Sequence, residues 1–311
     1  MTSNFAPIGI STYSRLPHLQ RTITALKQNE LAGQSELFVF SDAPRPGDEE
    51  KVAAVRNYLR TVVGFKHIRV IKRKNNSRTR NNRRGLRLLL NRYGKAIFLE
   101  EDVVAAPGFL TFMNQALDTY EKNKQVFSVT GYCPPIAIPQ DYPHDVFFLK
   151  RCSAWGFGIW RDRFESIRYI TPDEYERFAA DSQRVREFVN GGGEDLMLLL
   201  KAEAYGKFDA GDVKAMYAQF LSGQYTVYPR QALTSNIGFD GTGTHCGVTT
   251  RFNVVVSEQR SFSFPDDIVI DQRIIESNRK FRAIPPYAVR VMAKLFSMGK
   301  SVVKKWTSRK R

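Results

Sequence analysis

The feature that most constrains this chain is the run Ala96-Ile97-Phe98-Leu99 followed at once by Glu100-Glu101-Asp102. An unbroken apolar run of this kind predicts a strand buried on both faces, as in a parallel sheet. The carboxylates at its end repel one another, and a cation held there would neutralise them. In open α/β sheets the carboxyl edge of the strands is also where ligands bind. A hard divalent cation bridging to a phosphorylated ligand meets both conditions. A solvated acidic turn is the plainer alternative.

The pattern upstream supports a parallel sheet. Pro7 to Tyr13 reads as a strand running into a loop, Glu36 to Phe40 as a second buried strand ending in Ser41-Asp42, and His67 to Ile71 as a third. Lys95 to Leu99 is the fourth. Helical spacing separates them: Leu19, Ile23 and Leu26 within 18–28; Val52, Val55, Tyr58 and Leu59 within 48–62; Leu86, Leu88, Leu89 and Leu90 within 78–93. This alternation predicts an α/β fold with a mostly parallel central sheet flanked by helices. Further on, 109–123 reads as a helix and 126–130 as a strand. Residues 133–143 form a proline-rich loop, 146–149 a strand and 153–158 a Gly/aromatic loop. Helices over 174–189 and 196–205 flank Gly191-Gly192-Gly193, and 212–221 and 225–228 read as helix and strand.

The formal net charge of +16 points to an anionic partner. One basic cluster lies between Lys66 and Arg87, and the other is the segment from Arg279 to Arg311, which has no acidic residue. The first has few aromatics to stack on single-stranded nucleic acid and no zinc-finger or RRM pattern, so no nucleic-acid partner is expected. The second intersperses Tyr287, Val291, Leu295, Phe296 and Trp306 among its cations, the composition of an amphipathic helix on an anionic membrane surface. Cys133, Cys152 and Cys246 are too few and scattered for a disulfide framework or zinc site, which fits a reducing compartment. The N-terminus shows no signal-peptide pattern, and no apolar run is long enough to span a bilayer.

Several residues could carry chemistry. Asp102, with Glu100 and Glu101, is the metal candidate. Asp42, at the same expected sheet edge, could accept hydrogen bonds from a base or ribose, or cap a turn before Pro44. Arg15 could face a phosphate or lie on the surface. Trp155 and Gly156 form a loop that could pack on a sugar or serve the core. Asp212 could act as a general base on a hydroxyl or as a helix cap. His245, in Thr244-His245-Cys246, could close over the site or reach the metal.

The stretch Phe98-Leu99-Glu100-Glu101-Asp102-Val103-Val104-Ala105-Ala106-Pro107-Gly108-Phe109 resembles the Glu-Asp-Asp and Ala-Pro-x-Phe motifs of the GT-A glycosyltransferases that include animal N-acetylglucosaminyltransferase I and similar bacterial sugar transferases. Ser153-Ala154-Trp155-Gly156 is similar to their Ser-x-Trp-Gly loop, and Asn236-Ile237-Gly238-Phe239 with Thr244-His245 to a stretch of the bacterial members. The resemblance covers roughly residues 6 to 250. It implies a GT-A fold with a nucleotide-sugar half over 1–145, an acceptor half over 146–278 and the basic segment 279–311.

The resemblance also implies a metal-dependent inverting glycosyltransferase, hexosyl- or N-acetylhexosaminyl-, using a nucleotide sugar such as a UDP-sugar. Asp102 would hold Mn²⁺ or Mg²⁺, with His245 a second ligand. Arg15, Asp42, Asn81, Glu100, Glu101, Trp155 and Gly156 would line the donor. Asn81 stands near a family histidine, and Glu101 replaces the family's middle Asp. Asp212 would be the base although Gly211 replaces the family's tryptophan, with Glu194 and Asp195 as alternatives. The acceptor would be a glycan or lipid-linked saccharide, the setting polysaccharide biosynthesis, and the location the cytoplasm at the inner membrane face. A nucleic-acid-binding protein and a catalytically silent GT-A-like domain are the competing readings.

Overall fold

The computed structural model describes residues 5–207, 211–243 and 247–283. In chain order its elements are β1 (Ile8–Thr12), α1 (Leu16–Lys27), β2 (Glu36–Ser41), α2 (Glu49–Tyr58), β3 (His67–Lys72), α3 (Arg78–Tyr93), β4 (Lys95–Glu100), β5 (Val103–Ala105), α4 (Phe109–Thr119) and β6 (Val126–Thr130). There follow β7 (Val146–Leu149), β8 (Phe157–Trp160), α5 (Arg161–Glu165), α6 (Pro172–Ala180), α7 (Ser182–Gly192), α8 (Asp195–Ala204), α9 (Gly211–Leu221), β9 (Tyr225–Pro229), β10 (Thr234–Asn236) and α10 (Gln272–Arg282).

Eight strands form one sheet in the order β3-β2-β1-β4-β8-β6-β9-β7. β8 is antiparallel to both neighbours and β7 to β9, so every other strand runs the same way. The sheet is therefore mostly parallel, and it continues across residue 145. Alternation along the strands divides the core. Leu37, Val39, Ile97 and Leu99 face a layer that includes Leu19, Ile23 and Phe112, from α1 and α4. Phe38, Phe40, Ala96 and Phe98 face one that includes Leu89, Phe164, Leu196 and Val213, from α3, α5, α8 and α9. Helices thus flank both faces of the sheet, as the βα alternation requires. α3 lies tight on β2 because Gly85 has no side chain: a Cβ there would stand 2.7 Å from the Phe40 ring.

The structure corrects several boundaries. Residues 174–189 are not one helix. Asp181 breaks the run between α6 and α7, and its side chain accepts from the Gln183 and Arg184 amides as a new N-cap. Gly191 and Gly192 end α7 rather than form a loose break, and only Gly193, at φ +123°, leaves it. The Gly/aromatic loop runs into strand β8, where Gly158 faces Met113 and Leu117 without crowding them. β5 follows the acids and pairs with β10 in a small second sheet. Leu88 is exposed rather than inward.

Candidate active site

The parallel strands carry Arg15, Asp42 and the three acids to the same sheet edge. Asp102 leaves the turn after β4 with its carboxylate buried. Its Oδ2 accepts from Arg15 Nη2 at 2.6 Å, and its Oδ1 has no hydrogen-bond partner among the described residues. The β5–β10 pairing brings the next segment over it. The Ile237 amide donates to the Asp102 carbonyl at 2.9 Å, and Gly238 lies against the carboxylate. Asn236 Oδ1 accepts from the Gly238 amide at 2.8 Å and holds that turn closed.

Glu101 is the organising acid of the triplet. Its Oε2 accepts from Thr12 Oγ1 and the Tyr13 amide, each at 2.6 Å, and its Oε1 from Arg15 Nε at 2.8 Å. Its two oxygens therefore tie the loop after β1 to the end of β4. Burial pushes the Arg15 guanidinium pKa down, but Asp102 and Glu101 more than offset this and hold it above its ordinary value. Arg15 is thus a fixed cation between two buried anions.

Glu100 faces the other way. It accepts from Asn82 Nδ2 at 3.1 Å, with Arg78 3.8 Å away. Burial first, and the Asp102 charge second, push its carboxyl above the usual range. Its neighbours include Asp212, whose charge acts in the same direction. Asp212 stands exposed in the first turn of α9. Cys152 Sγ reaches its carbonyl at 3.8 Å, linking that turn to the 150–155 loop. Glu100, Asp212, Ser153 and Trp155 line one cavity of about 390 Å³.

Trp155 closes one side of that cavity. Its ring meets Tyr132, Phe239 and Phe252 edge-on at centroid distances of 4.6, 5.4 and 5.5 Å. Its carbonyl accepts from Thr234 Oγ1 at 2.7 Å. Gly156 follows at φ +76°, where a side chain would be strained.

Asp42 sits at the end of β2 and is buried. Its oxygens are taken up by the Ala43 amide at 3.0 Å, the Ser77 amide at 3.0 Å and Asn76 Nδ2 at 3.3 Å. It clamps the entry to α3. Asn81 is also engaged internally, donating to the Phe40 carbonyl at 2.7 Å and accepting from Arg73 Nε at 2.8 Å. Asp195 forms a two-pronged pair with Arg151, at 2.8 and 2.7 Å, and Glu194 precedes it on the exposed side of the turn. His245 and residues 284–311 lie outside the described residues.

The structure therefore brings Arg15, Glu101 and Asp102 together in one network and Glu100, Asp212 and Trp155 around one cavity. Thr12 and Asn82 also belong to the site but carry no sequence pattern of their own, whereas Gly238 lies in the stretch Asn236 to Phe239 noted in the sequence. Only the return of Asn82 one helical turn after Arg78 hinted that they share a face. Among the described residues no group of three or more His, Cys, Asp or Glu side chains gathers to hold a metal. No helix among them is long and apolar enough to cross a membrane.

No family model matches the sequence, and no curated protein matches it. Solved structures similar to it include S. aureus TarS, at 10% identity and TM-score 0.41, over 74% of this chain and 36% of that one. Another is the mannosyltransferase PcManGT from Pyrobaculum calidifontis with GDP-Man and Mn²⁺, at 12% identity and TM-score 0.38, over 71% and 73%. A third is GalNAc-T7 with UDP, GalNAc and Mn²⁺, at 10% identity and TM-score 0.45, over 73% and 43%. The chain thus spans about a third of the TarS length. Likenesses this distant assign no role to any residue of this chain.

Proposed function

We propose that the chain is a metal-dependent, inverting glycosyltransferase that moves a sugar from a nucleotide sugar to a hydroxyl. The observation that carries the reading is Asp102 Oδ1, a buried carboxylate oxygen with no hydrogen-bond partner among the described residues, at the carboxyl edge of a parallel strand. A buried acceptor left unpaired is costly, so it marks a position that a ligand completes. The motif around it, Phe98 to Phe109, resembles the metal-binding stretch of GT-A glycosyltransferases and supports the same assignment.

The donor set fits a shared cation rather than a protein cage. A hard divalent ion is commonly held by one or two carboxylates, with substrate phosphates and water completing the shell. Asp102 would supply the carboxylate, with His245 as a further candidate. When bound, Mn²⁺ or Mg²⁺ supplies a Lewis acid that offsets the charge of the departing diphosphate. Arg15 adds a permanent positive charge beside it. Asp42 and Asn81 support the nucleotide end through the loop they brace, and Trp155 with Gly156 borders the sugar.

Asp212 would take the proton from the acceptor hydroxyl. The acceptor oxygen then attacks the anomeric carbon from the face opposite the nucleotide. The bond from that carbon to the nucleoside diphosphate breaks, and its electron pair leaves with the diphosphate. Asp212 suits the role better than Asp195, which is committed to Arg151 and whose carboxyl is held below its usual range despite its burial. Holding both reactants in one cleft converts the encounter into an intramolecular step.

Thermal unfolding with a panel of nucleotide sugars, with and without Mn²⁺, tests the reading. A ligand that binds only the native state raises the melting temperature. One nucleotide should stabilise the protein more with Mn²⁺ than without, and Asp102→Ala should remove the difference. Equal stabilisation without metal would leave the nucleotide site and remove the metal from the proposal. No stabilisation by any nucleotide sugar would overturn the reading.

A further inference from the structure

The cavity beside Glu100 and Asp212 exposes more apolar than polar surface. Its volume is about 390 Å³, within the range of sites for small organic molecules. Its floor is the sheet itself, formed by Phe98 of β4, Phe127 of β6 and Ile159 of β8. Leu86 of α3, Phe164 of α5 and Leu199 of α8 form its walls. Ile159 pairs with Ala96, four residues before Glu100 along β4. At the usual strand rise of ~3.3 Å per residue, the cavity therefore runs roughly 13 Å down the sheet from the acidic edge.

The polarity changes along this axis. Glu100 and Asp212 lie at the carboxyl edge, joined by Asn82 and Ser153, which can bond to hydroxyls, and the cations Arg78, Arg83 and Lys214 also line the cavity. Phe98, Phe127 and Ile159 lie further in. A free glycan carries hydroxyls along its whole length and would leave them unpaired against these rings, at a cost for each buried polar group. A nucleobase would face the same penalty on its polar edge. Well-packed interiors hold few voids larger than a water molecule, so a space of this size next to a reactive edge is shaped for an occupant.

We propose that this cavity receives the apolar group of an amphiphilic acceptor whose hydroxyl-bearing end lies at Glu100 and Asp212. The acceptor class is then a sugar or alcohol joined to an alkyl or isoprenoid-like chain, not a free oligosaccharide. The assignment rests on the glycosyltransfer reading for the identity of the polar end, but the apolar end stands on the cavity alone.

Binding of hexyl, octyl and decyl glucosides to the full-length protein, below their micellar concentrations, tests it by calorimetry without any nucleotide sugar. Affinity should rise with chain length by about fourfold per methylene while the cavity fills, the ratio expected for burying a CH₂ group. Leu199→Trp and, independently, Ile167→Trp, at a second apolar residue of the lining, should narrow the cavity and flatten that dependence while leaving nucleotide-dependent thermal stabilisation intact. Affinity that does not change with chain length would overturn the proposal, as would a dependence that survives unchanged in both folded variants. A chain-length dependence that both variants flatten, with no sugar transferred from any nucleotide sugar, would keep the cavity assignment and overturn glycosyl transfer.

Discussion

Gly238 and Asp102 are 136 positions apart in sequence, yet a Cβ on Gly238 would stand 2.1 Å from Asp102 Oδ2. The pairing of β5 with β10 creates this approach. It leaves the carboxylate covered on one side and paired with Arg15 on another. The segment after β10 is therefore part of the acidic edge and not a surface loop beside it.

Gly238→Ala should displace the Asp102 carboxylate or its covering turn. Overpacking of this kind costs about 1–3 kcal/mol. A lower urea midpoint with an unchanged slope checks the stability effect. Loss of the Mn²⁺-dependent part of nucleotide stabilisation checks the effect on Asp102. A variant indistinguishable from the parent would show that the turn yields freely.

Arg15→Ala should be the most damaging single change at the edge. It leaves Glu101 and Asp102 buried with no cation between them, and removing one partner of a buried pair costs about 3–5 kcal/mol. Arg15→Lys restores charge but cannot bond to both acids through one planar fork, so it should recover only part of the loss. Chemical denaturation of the three proteins at neutral pH orders them.

Asp212→Asn should reduce transfer by roughly 10²–10⁴-fold, the usual contribution of a general base. Nucleotide binding and melting temperature should stay near the parent's, because the side chain is exposed. Turnover measured beside thermal shift separates the two. Equal turnover in the variant would move the role to Glu194.

Asp195 should make a pH-dependent contribution to stability. Burial alone would raise its carboxyl, but the Arg151 guanidinium overrides burial and holds it below its ordinary value. Its contribution is therefore complete above the unfolded value near pH 4 and is lost as the pH falls through the lower folded value. Asp195→Asn should be less stable than the parent at pH 7, and the gap should shrink below about pH 4. Urea midpoints across this range test the sign.

Cys133 and Cys152 should resist alkylation in the native state. Burial pushes both thiols up to about 12, so almost no thiolate is present near neutral pH. Peptide mapping after iodoacetamide should find them labelled only in denaturant. Labelling of either in native protein would show that its layer opens.

The sequence alone made the parallel half of the sheet legible, because apolar runs such as Ala96 to Leu99 alternate with helical periods and need no distant partner to be recognised. It also placed Arg15, Asp42 and Asp102 at one edge, since parallel strands end on the same side. β8 and β5 escaped notice because β8 carries a glycine and β5 is three residues long, so neither has a period to read. Only the tertiary structure divided the acids. Glu101 closes on Thr12, Tyr13 and Arg15, Asp102 keeps one oxygen without a partner among the described residues, and Glu100 turns to the cavity. The order of three acids in a chain carries no direction for their side chains. That direction is decided by β1, α3 and the β5–β10 pair, which pack around them from distant parts of the sequence.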